Sequence, residues 1–261
     1  MTILIKLGGS AITNKGEKYS LKEGVIQRIS DKISQIEDRV ILVHGGGSFG
    51  HSIALEHGVN ESGNGDLKPQ GFSRIHKAMN RLNIEVVSHL HEAEINAIPV
   101  QTSACFMRVA DGIKLKNRQI VRRFLDSDFT PVFYGDGVIG EEGELTILSG
   151  DQIVGYLARN FPVDRVIMGT DVDGIYTKDP KSNEKTELIP EISSKNWKKI
   201  FSNIEFSSGE DVTGGMRNKV EVLIELAQEG IESQIINIQS PENIFKAIKS
   251  DKRVGTKISE G

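Results

Sequence analysis

The sequence predicts an α/β protein whose mostly parallel β-sheet is covered by helices on both faces. Three observations predict it. Short apolar runs alternate with stretches of helical periodicity along nearly the whole chain, the pattern of strand–helix–strand units. Two of those runs end in glycine turns, Gly8-Gly9-Ser10 and Gly45-Gly46-Gly47-Ser48, as at the ligand-binding ends of open parallel sheets. Two further segments carry hairpin turns, Ala110-Asp111-Gly112 and Gly140-Glu141-Glu142-Gly143, which would add a flap or an antiparallel extension. No linker, low-complexity tract or repeat divides the 261 residues. One domain over residues 1–261, with two functional lobes, is expected.

Residues 3–7 read as a strand and 21–37 as a helix, with Leu21, Val25, Ile29, Ile33 and Ile36 at helical spacing. A strand at 40–43 enters the second glycine turn, and a helix follows from about Ser48 to His57. Residues 58–70 are a loop by composition. A long helix over 72–95 carries Ile75, Met79, Leu82, Val86 and Leu90, and a strand near 98–101 follows. The first hairpin spans 105–117, a short helix covers 118–126, and 131–134 is a strand. After the second hairpin, Gly150 opens a helix to about Asn160. Strand 164–169 leads into Thr170-Asp-Val-Asp-Gly-Ile-Tyr176. A helix at 215–229, a strand at 234–238, a helix at 241–248 and a short last strand complete the chain.

Composition narrows the function. The chain is long enough to bury a sizeable core without disulfides or a structural metal. Its one cysteine, Cys105, has no internal partner, so a reducing cytoplasm is the simplest home. A net charge of −4 gives nucleic-acid binding no support. No apolar run approaches the ~20 residues of a membrane span. Lys6 and Gly8 interrupt the first apolar run, so it does not read as a signal peptide. The sequon Asn60-Glu-Ser62 is then accidental.

The glycine turns carry the chemistry. Glycine reaches backbone angles that aim consecutive N–H groups at one anion, and a helix starting there adds its positive dipole end. Two such cradles suggest an enzyme that holds two phosphorylated molecules at once. Gly45-Gly-Gly-Ser-Phe-Gly50 also satisfies the dinucleotide pattern G-x-G-x-x-G. That fingerprint needs an acidic residue ending a second strand. Asp66 has the spacing but lies in Gly63-Asn-Gly-Asp-Leu-Lys-Pro69, which is no strand. Neither a Walker A pattern nor a protein-kinase catalytic loop occurs. Lys6 sits within an apolar strand, and a buried lysine is costly unless it meets an anion. Lys15 follows just beyond the first glycine turn. Asp171 and Asp173 suit a metal or a pair of Asx turns equally well by spacing. Asp211-Val-Thr-Gly-Gly-Met-Arg-Asn-Lys219 is a third glycine turn opening a helix. Histidines 57, 76, 89 and 91 sit beside charges on helical patterns and read as surface residues.

Together Lys6-Leu-Gly-Gly-Ser10, His44-Gly-Gly-Gly47, Gly150-Asp151, Thr170-Asp-Val-Asp-Gly-Ile-Tyr176 and Gly214-Gly215 with Lys219 resemble the amino acid kinase superfamily. Lys15, Ser48-Phe-Gly-His51, Leu148-Ser-Gly-Asp151 and Asp211-Val-Thr-Gly-Gly215 resemble its isopentenyl phosphate kinases. The resemblance runs from residue 1 to 258. It implies an open αβα sandwich (the amino acid kinase fold), a homodimer, and ATP-dependent phosphorylation of isopentenyl phosphate to isopentenyl diphosphate for isoprenoid synthesis. The N-terminal lobe would bind the acceptor and the C-terminal lobe ATP. Lys6, Gly8, Gly9, Ser10 and Lys15 would embrace the transferring phosphates. Gly46 and His51 would hold the acceptor phosphate, with Gly47 facing ATP and Gly150 near the substrate. Asp171, Tyr176, Gly215 and Lys219 would serve the nucleotide.

The chemistry suits these residue types. A monoester phosphate with a second pKa near ~6 is already a dianionic nucleophile at neutral pH, so no general base is needed. The barrier is charge repulsion and alignment, which lysines, amide N–H groups and Mg²⁺ relieve. Mg²⁺ enters with ATP, with no protein ligand assigned. Lys6, Lys15 and His51 are the catalytic candidates, His51 as a protonated donor to the acceptor phosphate. A buried five-carbon tail gains roughly 4 kcal/mol at ~0.8 kcal/mol per methylene. Phe72, Ile75 and Met79 are its expected wall, with Ile147 and Ile153 beside them. Two other readings remain: a fosfomycin-type phosphonate kinase, and a non-catalytic nucleotide-binding protein on the same fold.

Overall fold

A computed structural model describes residues 1–59, 67–178, 180, 183, 185–203, 213–251 and 253–261. The chain opens with β1 (Thr2–Leu7), the short α1 (Gly9–Ile12) and α2 (Glu23–Ile33), then β2 (Arg39–His44), α3 (Gly47–Glu56) and the long α4 (Pro69–Glu92). β3 (Ala97–Pro99), α5 (Thr102–Cys105), the hairpin β4 (Phe106–Val109) with β5 (Gly112–Leu115), α6 (Arg118–Asp126) and β6 (Thr130–Tyr134) follow. A second hairpin, β7 (Asp136–Ile139) with β8 (Leu145–Leu148), leads to α7 (Gly150–Asn160) and β9 (Arg165–Thr170). Next come β10 (Ile175–Tyr176), β11 (Leu188–Ile189), β12 (Glu191–Ser193) and α8 (Trp197–Asn203). The chain closes with α9 (Thr213–Gln228), β13 (Ser233–Asn237), α10 (Glu242–Ile248) and β14 (Thr256–Ser259).

Among the described residues the main sheet has the strand order β12-β14-β13-β9-β1-β2-β6-β3. From β13 to β3 every pairing is parallel. β14 turns antiparallel to β13 and pairs in parallel with β12, so the sheet ends on a reversed pair. Of the flap or antiparallel extension expected from the hairpins, the extension is not formed by them: the antiparallel strand of this sheet is β14. The hairpins form separate two-stranded sheets joined by a bridge between Arg108 and Gly140.

β1 is central, in register with Val43 and Met168 on either side of Lys6. All six of its residues are buried, as a parallel strand covered on both faces requires. Strand alternation sends Ile3, Ile5 and Leu7 into the core under α2, α3, α4 and α10. Leu4 enters the opposite core under α6, α7 and α9. Lys6 shares the face of Leu4, two residues on, and so points toward α7 and α9.

The long periodic elements lie within a few residues of expectation. α4 starts at Pro69 rather than 72, with proline near its N-terminus, a position whose missing N–H costs nothing. The four-residue α1 and α5, the short β10 to β12 and the seven-residue α8 were not expected; all but α8 are too brief for periodicity to register. Of the 58–70 loop, residues 60–66 lie outside the described residues, as do the sequon and Asp66. Asp211 and Val212 also lie outside them.

Candidate active site

The two glycine turns leave adjacent parallel strands and meet backbone to backbone. A methyl group at Gly9 would lie 2.3 Å from the Gly47 nitrogen, and one at Gly47 would lie 2.1 Å from Thr13 Oγ1. Gly47 also has φ +46°, a conformation that costs side-chain-bearing residues ~1–3 kcal/mol. Thr13 stitches the turns together. Its Oγ1 donates to the Gly9 carbonyl at 2.7 Å and accepts from Ser48 N–H at 3.0 Å. On its other side the first turn docks on β9. Gly8 N–H donates to Gly169 O at 2.9 Å, and Ser10 Oγ donates to Asp171 Oδ1 at 2.9 Å.

Behind this seam sits a charged triad. Lys6 Nζ donates to Asp151 Oδ1 at 2.6 Å, while Lys219 Nζ reaches the two Asp151 oxygens at 3.2 and 3.4 Å. The lysine side chains are 7% and 12% exposed and the aspartate 16%, so the charges are little screened. Burial pulls Lys6 down to about 8, against the attraction of Asp151. Burial would raise the Asp151 carboxyl, yet Lys219 and Lys6 outweigh it and hold it at about 2. Two cations on one carboxylate leave one positive charge in excess, which a phosphate oxygen would complete.

Asp151 was the residue missed in the sequence. The available signal was Ser149-x-x-Gln152, a capping box formed by Ser149 Oγ accepting from Gln152 N–H and Gln152 Oε1 accepting from Ser149 N–H. It starts α7 at the strand ends, with Gly150 against Lys6. A methyl group at Gly150 would come within 3.1 Å of Lys6 Cε. α3 and α7 thus open toward the same region, each bringing a positive dipole end.

Lys6, Gly8, Gly9, Ser10, Gly46, Gly47, Gly150, Asp171 and Lys219 are brought together here. Gly215 lies in the first turn of α9, one turn before Lys219. Lys15 lies in an exposed turn closed by Asn14 N–H donating to Ser20 O at 2.9 Å. His51 is exposed on α3, one turn beyond Gly47. Tyr176 stands apart from the triad on β10, its hydroxyl donating to Asp173 Oδ2 at 3.3 Å. Asp173 also accepts from Asn237 Nδ2, and so is tied up structurally.

The expected apolar wall is continuous with the glycine turn. Met79 packs on Gly46 and Gly50, the Phe72 ring packs on Gly137, and Ile75, Met79, Phe72 and Ile147 belong to one core. Ile153 does not: it faces the opposite core, because α7 covers the other side of the sheet. His76 also departs from its surface reading. Its Nδ1 lies 2.7 Å from Oδ2 of the fully buried Asp136.

Among the described residues no group of three His, Cys, Asp or Glu side chains is placed to hold a metal. No helix among them is long and apolar enough to cross a membrane.

Residues 1–237 match the amino acid kinase family. The chain is 34% identical to the isopentenyl phosphate kinase of Methanothermobacter thermautotrophicus, over 98% of each chain. It is 35% identical to that of Thermoplasma acidophilum, covering 98% of this chain and 99% of the other. The crystal structure of the T. acidophilum isopentenyl phosphate kinase product complex superposes with a TM-score of 0.82 at 32% identity, over 99% of this chain and all of that one. The chain therefore belongs to the amino acid kinase family and, within it, is a relative of the isopentenyl phosphate kinases.

Proposed function

We propose that this protein transfers the γ-phosphate of ATP to isopentenyl phosphate, forming isopentenyl diphosphate for isoprenoid synthesis. The observation that carries the reading is the seam of two glycine turns, closed at its back by Lys6, Asp151 and Lys219 and at its side by apolar α4. Near-full-length similarity to isopentenyl phosphate kinases supports the substrate.

The acceptor phosphate sits on Gly46 and His51, with Gly150 beside it and its tail along Phe72, Ile75, Met79 and Ile147. The nucleotide phosphates lie on Gly8, Gly9, Ser10 and Gly47, with Asp171, Tyr176, Gly215 and Lys219 serving the rest of ATP. The N-terminal lobe thus takes the acceptor and the C-terminal lobe ATP. Lys6 bridges the two phosphates, and Asp151 keeps it charged and aimed. Its modest affinity for a proton, about 8, rises again once phosphate anions arrive. Lys15 and His51 close over the phosphates from the exposed side. Mg²⁺ bound to ATP supplies further neutralisation of phosphate charge. No residue acts as base, since the acceptor oxygen is already ionised. A cytoplasmic homodimer is part of the same proposal, checked by light scattering.

The test is a coupled ADP-release assay with isopentenyl phosphate, dimethylallyl phosphate, fosfomycin, uridylate and acetylglutamate. Isopentenyl phosphate is expected to give the highest kcat/KM. Preference for an amino-acid or nucleoside acceptor would overturn the substrate while leaving the fold intact.

A further inference from the structure

α4 carries a polar stripe on a face turned toward the sheet. His76, Asn80 and Asn83 recur at helical spacing, and each reaches a different strand. Tyr134, at the end of β6, donates its hydroxyl proton to Asn80 Oδ1 at 2.5 Å. The Asn80 amide N–H therefore faces His76 Nε2, 2.8 Å away, and that nitrogen accepts. The ring proton then lies on Nδ1 and is donated to Asp136 Oδ2 at 2.7 Å, while Gly137 N–H donates to Oδ1 at 2.8 Å. Tyr134, Asn80, His76 and Asp136 thus form one directed chain from β6 through α4 to β7. A second chain lies beside it. The His44 ring stacks on Tyr134 with centroids 5.4 Å apart and bridges the Gly45 carbonyl and the Asn83 side chain.

These bonds fix something apolar contacts leave loose. Apolar attraction is non-directional, whereas a shift of the helix would take His76 from Asp136 and Asn80 from Tyr134, a costly loss in a buried site. Asp136 is fully buried and is held by His76, by Gly137 and by Ser103 of α5, whose Oγ lies 3.3 Å from His76 Nδ1. The same helix places Phe72 on Gly137 and Met79 on Gly46. A helix shift that broke the relay would also move Phe72 on Gly137 and so change the spacing between α4 and the β7–β8 hairpin.

We propose that this relay sets the length of acceptor tail the enzyme admits, which makes His76 and Asn80 specificity-determining positioning residues although they need not touch the substrate. This rests on the isopentenyl phosphate reading above. Holding α4 against the hairpin limits the pocket to a five-carbon tail, and loosening it admits a longer isoprenyl monophosphate.

The experiment compares kcat and KM for isopentenyl phosphate and for geranyl phosphate in the wild type, His76→Leu, Asn80→Leu and His76→Asn, with circular dichroism as the folding control. In the leucine variants the five-carbon over ten-carbon ratio of kcat/KM is expected to fall by about tenfold or more. The change should sit in the acceptor KM values, leaving the KM for ATP unmoved. His76→Asn keeps an N–H aimed at Asp136 and should restore most of the ratio. A folded leucine variant with an unchanged ratio overturns the proposal. So does unfolding of both leucine variants, since the relay would then hold the fold rather than tune the pocket. Wild-type protein inert toward isopentenyl phosphate would overturn the functional reading and this proposal with it, whereas active wild type with an unmoved ratio overturns this proposal alone.

Discussion

In the proposed transfer Lys6 is the residue on which the chemistry turns, and its environment makes a pH prediction. As pH rises through about 8 in the free enzyme, Lys6 loses its proton and with it the charge that draws phosphate. As pH falls through ~6, the acceptor phosphate becomes a poorer, monoanionic nucleophile. A plot of kcat/KM against pH should therefore be bell-shaped, with the alkaline limb near 8. In kcat that limb should move upward, because bound phosphates favour the charged lysine. Lys6→Met should lower kcat by about 10²–10³-fold. It should leave the fold in place, because Lys219 still neutralises Asp151. His51→Ala, assayed with saturating ATP, should lose a similar ~10²–10³-fold. A histidine serving only as helix surface would give a mild effect instead. Lys6 could be read in the sequence because a lysine in an apolar strand demands an anion. That its resident anion is Asp151 could not, for the two lie 145 residues apart and only the fold pairs them.

At the scale of elements, the glycine turns and the helices they open hold the site. Gly47→Ala would put a methyl group into Thr13 Oγ1 and force φ +46° on a residue that resists it. We expect a loss of about 1–3 kcal/mol from the backbone alone, read as a lowered Tm, together with near-complete loss of turnover. β1, β2, α4 and α7 were legible because apolar runs, helical spacing and caps are local. α1 and β10 were not, since four residues or fewer give no period. α4 shows the limit within one element. Its apolar stripe was readable from spacing, but His76 looked like a surface residue. Its partner Asp136 is 60 residues on, and Asn80 and Asn83 find Tyr134 and His44 at separations of 54 and 39. Pairings at that distance are set by the fold.

Across the whole molecule, the parallel sheet gathers its ligand-binding turns at one end, while the reversed β14–β12 pair closes an edge away from them. The two cores divide the work. One lies under α3 and α4, and the other carries the lysine–aspartate triad through α7 and α9. Lys6, on the central strand, points into the second, and in the proposed transfer this single cation would face both phosphates. The most direct test is a crystal structure of the protein with isopentenyl phosphate and a non-hydrolysable ATP analogue. The account predicts the acceptor phosphate on Gly46 and His51, the γ-phosphate over Gly8 to Ser10, and Lys6 Nζ within about 3 Å of both. An acceptor bound in a cleft that Lys6 does not reach would contradict it.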